Sequence, residues 1–317
     1  MPTPMMKVRL LMALLYIPDA RYVSWMTKSS PQTSTGRVAV VTGGARGIGA
    51  AVARELAARG MRVAIGDVDL AEATGTATAI GGHAGHLDVS DPTSWTAFLT
   101  EVESTLGPPD VLVNNAGLMP IGPFIKETNA ITDLQLDVNI RGVLLGCRAV
   151  LPGMLERRRG HLVNIASQAG KIGAAGGVTY CATKWAVVGL SHALDDELRD
   201  TPISVTAVLP GIVRTELSAG LPETRLAPRV DPADIARAIA EALDHPKREV
   251  WVPRSGRVTM TMTRIMPTRL RANLMRLLRL DDPLLHADHG ARRLRSPRGV
   301  SGRRWRRGFP VRGLGRP

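Results

Sequence analysis

A doubly wound α/β fold, built on a mostly parallel seven-stranded sheet with helices on both faces, is the class this sequence predicts. Two observations point to it. Short apolar runs rich in Val, Ile and Leu alternate with Ala-rich helical stretches across residues 36–253, and most runs are followed at once by Gly, Asp, Asn or Ser. Composition adds a third: 44% of residues are apolar but only 3% aromatic, so small aliphatic side chains must do the packing. That suits helices lying close on a sheet whose strands are buried on both sides.

Taken in order, Arg37–Thr42 is a β-branched apolar run and reads as a buried strand. Ile48–Arg59 lacks Pro, is rich in Ala and stops at Gly60, as a helix does. Arg62–Asp67 reads as the second strand, Leu70–Ile80 as a helix and His83–Leu87 as a third, weaker strand. Pro92 stands just before a helix over Thr93–Leu106, where its missing N–H costs nothing. Asp110–Asn114 is a strand, and Thr132–Glu156 a long helix that Pro152 kinks or ends. His161–Ala166, Ile203–Leu209 and Glu249–Val252 complete the strands, with helices over Val178–Arg199 and Pro232–Leu243 between them. Helices of a dozen residues between strands imply right-handed crossovers and parallel pairing.

The formal net charge of +13 belongs to the ends of the chain. Residues 1–35 hold four bases and one acid, and residues 254–317 hold 17 Arg and three Asp. The body, 36–253, is left mildly acidic, so the charge says little about its chemistry. Residues 1–35 are expected to be a poorly ordered extension; within them 5–20 read as a short signal or interfacial anchor, or as upstream sequence if translation starts at Met26. Residues 254–289 form a basic segment with helical Leu spacing at Leu270, Leu274, Leu277 and Leu278, suited to peripheral membrane contact or to packing on the body. Residues 290–317 are Arg/Gly/Pro-rich and expected to be disordered; a solvated appendage is preferred over a nucleic-acid partner. Two cysteines, Cys147 and Cys181, exclude a disulfide scaffold, and both are expected to pack in the interior of a cytoplasmic protein. No run of about 18 apolar residues marks a transmembrane helix.

In a doubly wound sheet the ligand site lies beyond the carboxyl ends of the strands. After the first strand, Gly43, Gly47 and Gly49 let the backbone approach a phosphate, and the helix that begins there aims free N–H groups at the same point. Asp67 ends the second strand about 20 residues on, where a carboxylate accepts hydrogen bonds from ribose hydroxyls and repels a 2′-phosphate. Arg46, inside the glycine turn, argues the other way, but Asp67 carries more weight because its charge sits where that phosphate would go. NAD is therefore expected over NADP. Asp88 and Val89 follow the third strand, and Asn114–Gly117 the fourth, where they line an adenine and ribose or hold the sheet edge. Ser167 follows the fifth, Tyr180 and Lys184 share one face of the next helix, and Pro210–Thr215 follow the sixth.

These residues resemble the classical short-chain dehydrogenase/reductase family over about residues 36–253. The resemblance rests on TGGARGIG (42–49), NNAG (114–117), Asn139 in DVNIRG, Ser167 in NIASQAG, YCATK (180–184) and PGIVRT (210–215), in that order. It implies a Rossmann-type domain and four catalytic residues: Tyr180 as acid/base, Lys184 as its partner, Ser167 as holder of the substrate oxygen, and Asn139 as anchor of a proton-carrying water. It also implies a dinucleotide held by Gly43, Arg46, Gly47, Ile48, Gly49, Asp67, Asp88, Val89, Asn115, Ala116, Gly117, Pro210, Gly211, Val213 and Thr215, with Tyr180 and Lys184 near the nicotinamide ribose. No metal is called for. A homodimer or homotetramer built on the two long helices is implied as well.

On this reading the Lys184 ammonium, together with the positive nicotinamide of the oxidised cofactor, lowers the pKa of the Tyr180 phenol so that it takes the proton of an alcohol while hydride leaves for the cofactor. Leu118, Met119, Ile121 and Phe124, with Leu217, Leu221 and Leu226, offer an apolar lining. That favours a lipophilic secondary alcohol or ketone of steroid, retinoid or fatty type over a sugar. The alternatives are an NADPH-dependent ketoacyl-type reductase and a non-enzymatic dinucleotide-binding regulator that uses the basic tail.

Overall fold

The computed structural model describes residues 35–221 and 229–258, together with Met262, Met266, Pro267 and Leu284. Seven strands form one parallel sheet: β1 (Val38–Thr42), β2 (Arg62–Asp67), β3 (His83–His86), β4 (Val111–Asn114), β5 (Gly160–Ile165), β6 (Ile203–Pro210) and β7 (Glu249–Val252). Their order is β3-β2-β1-β4-β5-β6-β7. The chain thus winds outward from β1 to β3, then returns to lie on the other side of β1 as β4. At that reversal, two crossovers leave in opposite directions and a crevice opens at the carboxyl ends of the strands.

Helices α1 (Gly47–Ala58), α2 (Leu70–Thr78), α3 (Pro92–Leu106), α4 (Asn129–Leu136), α5 (Gly142–Glu156), α6 (Val178–Glu197) and α7 (Pro232–Asp244) cover the sheet. Alternation along each strand sorts the core into two layers. Ala39 and Val41 of β1, Val63 and Ile65 of β2, and Val111 and Val113 of β4 face α1 and α7, meeting Val52, Leu56, Ile235 and Ile239. Val38, Val40, Ala64 and Leu112 face the other way, onto Trp95 and Phe98 of α3, Val150 and Met154 of α5, and Val187 of α6. Burying each large aliphatic or aromatic side chain in these layers stabilises the fold by roughly 1.5–3 kcal/mol.

Strand and helix boundaries follow the sequence reading within a few residues. The long helix differs in two ways. It begins earlier, at Asn129, where the Thr128 side chain caps it, and one wide turn at Asp137–Arg141 separates α4 from α5. Pro152 lies inside α5, which continues to Glu156. The stretch Asn129–Glu156 is long and apolar enough by length and composition to cross a membrane. Here Val143, Cys147, Val150 and Met154 pack it against the sheet as a core helix. The expectations for residues 1–34, for Leu226, for the leucines of 270–278 and for the Arg-rich tail lie outside the described residues.

At the amino end of the sheet a buried Asp110 ties three segments together. It accepts from the Val38 backbone N–H at 3.0 Å and pairs with Arg159 at 2.7 Å. His161 of β5 donates its backbone N–H to the Asp110 carbonyl at 3.0 Å; its buried ring is hydrogen-bonded to Thr206 at 2.8 Å, and burial, with Arg37 nearby, pushes its pKa down to about 3. It is a neutral structural residue.

Two helical glycines separate packing from propensity. A methyl group at Gly146 of α5 would lie 2.5 Å from Asn114 Oδ1 and 2.8 Å from the Trp95 ring, whereas one at Gly75 of α2 would meet nothing within 4 Å. Gly146→Ala is expected to destabilise the protein by about 1–3 kcal/mol through overpacking. Gly75→Ala is expected to stabilise it by about 0.5–1 kcal/mol through helix propensity. Urea unfolding of the two variants checks both signs; equal shifts would mean that the α5–β4 contact is not close-packed.

Candidate active site

The turn after β1 is built for close approach. Gly43 and Gly47 have φ of +62° and +58°, in the left-handed region that side chains disfavour. A Cβ on Gly43 would lie 2.8 Å from Ala116 Cα, and one on Gly49 would overlap the Gly43 carbonyl and come within 2.6 Å of Asn115 Nδ2. Thr42 locks this seam: its hydroxyl accepts from the backbone N–H groups of Asn115 and Ala116, each at 3.0 Å. The Asn115 side chain donates to the Thr42 and Gly43 carbonyls, both at 2.9 Å. Its amide therefore braces the glycine turn, the sheet-edge role of the two weighed for it. Helix α1 starts at Gly47, Ile48 and Gly49 with no side-chain cap and no acid in its first turn. Its N–H groups and positive dipole end are left for an anion. A side chain would fill this cradle and glycine leaves it open, which fits a pyrophosphate.

Asp67 closes β2. One carboxylate oxygen accepts from the Ala45 N–H and the other from the Asp69 N–H, each at 3.0 Å. Arg46 does not stand free. It pairs with Asp69 at 2.6 Å and lies 3.7 Å from Glu216. Asp88 ends the neighbouring turn with its carboxylate on Ser90, and Val89 is buried against Gly142. On the far side Gly211 donates to the Val252 carbonyl at 2.8 Å, Val213 bridges to Val230, and Thr215 stands 3.4 Å from where a Gly47 Cβ would be. Pro210 terminates β6.

Deeper in the crevice, Ser167, Tyr180 and Lys184 converge. Ser167 follows β5 directly, and its hydroxyl is hydrogen-bonded to the Tyr180 phenol. Lys184, one helical turn on, is buried; its ammonium donates to the Ile165 carbonyl at 2.9 Å and lies 5.8 Å from the centre of the Tyr180 ring. Close packing positions the pair: a Cβ on Gly170 would lie 2.6 Å from the Lys184 carbonyl oxygen. Asn139, in the wide turn, is committed to protein partners. Its oxygen accepts from Leu118 N–H at 2.8 Å, and its amide donates to the Leu118 carbonyl and to Thr183. Gly117 stands beside it, 3.3 Å from Asn139 Oδ1 to the place of a Cβ.

Burial pushes the Tyr180 phenol up to about 12, opposed by the Ser167 hydrogen bond, and burial pushes Lys184 down to about 8. Desolvation is the largest cause of both shifts. Around Tyr180 packs a small apolar cluster of Met119, Ile121, Leu221 and Leu284. Phe124 and Leu217, expected in the lining, are exposed. Cys147 and Cys181 are buried and free, as expected.

Hydrogen bonds and ion pairs across the fold complete the site. Thr42 and Thr183 supply hydroxyls that brace it, Asp69 pairs with Arg46, and Asn114, Asn164 and Ser191 form a buried chain beneath it, linked at 2.9 and 3.0 Å. Among the described residues no cluster of His, Cys, Asp or Glu is arranged to hold a metal.

The lysine carries a stability consequence. Lys184 holds its proton only below about 8 in the folded chain, against 10.5 when unfolded. Between those values the unfolded chain binds more protons, so this group makes the protein more stable as pH rises through the window and least stable below it. Lys184→Met removes the buried charge and is expected to raise stability at neutral pH by on the order of 1–2 kcal/mol, trimmed by the donor lost to Ile165. The gain should shrink by about pH 10. Urea unfolding of both proteins at the two pH values tests this; a difference independent of pH would rule out burial of the charge as its source.

Comparison with known proteins agrees with this architecture. A family model described as short chain dehydrogenase matches residues 37–226. The chain is 39% identical over 212 residues to the 3-alpha-(or 20-beta)-hydroxysteroid dehydrogenase of Mycobacterium tuberculosis, covering 64% of this chain and 81% of that protein. It is 42% identical over 192 residues to a ketoacyl reductase named with the monensin polyketide synthase of Streptomyces virginiae, covering 58% and 74%. A solved short-chain dehydrogenase structure from Novosphingobium aromaticivorans superposes with a TM-score of 0.66 at 26% identity, covering 78% of this chain and 98% of that one. The chain thus belongs to the short-chain dehydrogenase/reductase family and is an NAD(P)-dependent oxidoreductase acting on CH–OH groups.

Proposed function

We propose that this enzyme interconverts a lipophilic secondary alcohol and its ketone with NAD as hydride partner, and that Tyr180 carries the proton. The observation behind the reading is the Tyr180 hydroxyl itself: hydrogen-bonded by Ser167, one helical turn from a buried ammonium, and set among Met119, Ile121 and Leu221. A nicotinamide dinucleotide supplies, when bound, a hydride acceptor or donor and, in its oxidised form, a positive charge.

The chain's own residues do the rest. The glycine cradle of Gly43, Gly47 and Gly49 would hold the pyrophosphate, and Asp67 the adenosine ribose. Ser167 donates a hydrogen bond to the substrate oxygen and fixes its position beside the phenol. Tyr180 takes the hydroxyl proton in oxidation and returns it in reduction. Because burial holds the phenol near 12, it becomes a base only when positive charge is close. Lys184 supplies part of that charge and relays the proton outward. Asn139, tied to Leu118 and Thr183, holds the substrate-side loop after β4 in place and leaves one lone pair for a water.

The apolar cluster supports a lipophilic substrate, as does the hydroxysteroid relative. The ketoacyl-named relative favours a second reading, an NADPH-dependent ketoacyl-type reductase. Exposed Leu155 of α5 and Trp185 of α6 suit a helix-to-helix homodimer or tetramer contact.

Tyr180→Phe is expected to lower kcat by about 10²–10⁴-fold, the worth of one positioned proton carrier, while leaving dinucleotide affinity within a few-fold. Absorbance of the reduced nicotinamide checks the first and calorimetric titration the second; retained turnover would remove Tyr180 from the proton path. Across a panel of steroid, long-chain and polyol alcohols with NAD, and ketoacyl thioesters with NADPH, steroid or long-chain alcohols with NAD are expected to give the highest kcat/KM. A polyol optimum would overturn the apolar reading, and a thioester optimum would move the assignment to the second one.

A further inference from the structure

Two opposed signals meet in the glycine turn: Arg46, whose guanidinium suits a 2′-phosphate, and Asp67, whose carboxylate repels one. The structure shows what holds the arginine. Asp69 takes the Arg46 guanidinium at 2.6 Å with one carboxylate oxygen, and its other oxygen accepts the Glu72 N–H as the amino-terminal cap of α2. Asp69 is itself fixed, because its own N–H donates to Asp67 at 3.0 Å. Asp67 in turn accepts from Ala45, the residue before Arg46. The three charged side chains form one closed unit around the turn. Glu216, 3.7 Å away on the far side of Arg46, adds a second acid.

The two acids therefore have different tasks. Asp67 has both oxygens on backbone N–H groups and keeps lone pairs for hydroxyl donors. Asp69 spends one oxygen on the guanidinium. A phosphate arriving at the ribose 2′ position would have to compete with that carboxylate for Arg46 while facing the charge of Asp67. Side chains of Arg46 and Asp69 are 33% and 26% exposed, so the pair is only partly screened by water.

We propose that Asp69 is a specificity lock: by occupying Arg46 it suppresses a latent 2′-phosphate site, and releasing it opens the enzyme to NADP. This rests on the dinucleotide reading of the cleft and adds a residue to it that Asp67 alone does not supply. It also makes Asp67 and Asp69 interdependent. Removing Asp67 leaves Arg46 still engaged, so relaxation of cofactor choice by that change alone is limited.

The test is a double-mutant cycle read by calorimetric binding of ADP-ribose and of 2′-phospho-ADP-ribose, with no turnover involved. Asp69→Asn keeps an amino-terminal cap and removes the charge. It is expected to tighten the 2′-phosphorylated ligand by about tenfold or more, the worth of one charge-assisted hydrogen bond regained, with ADP-ribose affinity changed only a few-fold. Arg46→Met in the Asp69→Asn background is expected to abolish the gain. Asp67→Ala with Asp69→Asn is expected to gain more than the sum of the single changes. The lock is overturned if Asp69→Asn leaves the ratio of the two affinities at the wild-type value, or if the gain survives Arg46→Met. Unaltered protein that fails to bind ADP-ribose would overturn the dinucleotide reading, and the lock with it.

Discussion

Pairing of β1 with β4 is the constraint from which the rest follows. The chain spends its first crossovers on one side of β1 and all later ones on the other, so the seam between these two strands is where the helices part. A ligand can enter there and reach the carboxyl ends of the strands on either side. The seam is also where backbones come closest, with Gly43 against Ala116 and the Thr42 hydroxyl accepting two N–H groups from the facing loop. A side chain at Gly43 or Gly49 would wedge the two halves of the sheet apart. The same glycines that open a phosphate cradle therefore close the architecture. Structural and binding demands at this turn cannot be separated.

Buried polar groups are distributed in a way that follows from this. At the amino end of the sheet, Asp110 is answered completely by Val38 and Arg159, and His161 is held neutral by burial. Those groups stiffen the fold and leave nothing over. At the carboxyl end, Asn114, Asn164 and Ser191 form a satisfied layer, and above it Tyr180 and Lys184 are buried with charge states displaced from their ordinary range. The satisfied layer lies beneath the displaced pair, and the Ile165 carbonyl holds the lysine at 2.9 Å. Arg46 repeats the pattern at the other end of the cleft, held between acids that limit what it can recognise.

Much of this was legible in the sequence because it is local. Strand runs, helix caps and the step from Ser167 to Tyr180 to Lys184 are matters of spacing, and the structure places them where spacing says. What spacing does not carry is who partners whom across the fold. Asn115 has the right type to line a cofactor, yet its amide is spent on the Thr42 and Gly43 carbonyls. Asp69 carries no signal of its own along the chain, and only the folded turn makes it the cap of α2 and brings Arg46 to it. Burial of Tyr180 cannot be seen in its neighbours along the chain. Desolvation, which raises the phenol and lowers the ammonium, is likewise invisible in spacing along the chain. The wide turn that aims Asn139 at Leu118 has no sequence period at all.

Burial of Tyr180 and Lys184 would gate the proposed chemistry. A phenol near 12 beside an ammonium near 8 is at rest at neutral pH: neither group has reason to exchange its proton with the other. Each further positive charge that reaches the cleft favours the phenolate, and each exclusion of water strengthens that effect. In the proposed mechanism the hydride acceptor would also carry that positive charge, which would couple proton abstraction to the presence of an electron sink. Burial, which raises the phenol and lowers the ammonium, would then act as a safeguard as well as a cost. An exposed Tyr–Lys pair at the same spacing would lack that coupling, since water would answer its charge at every stage.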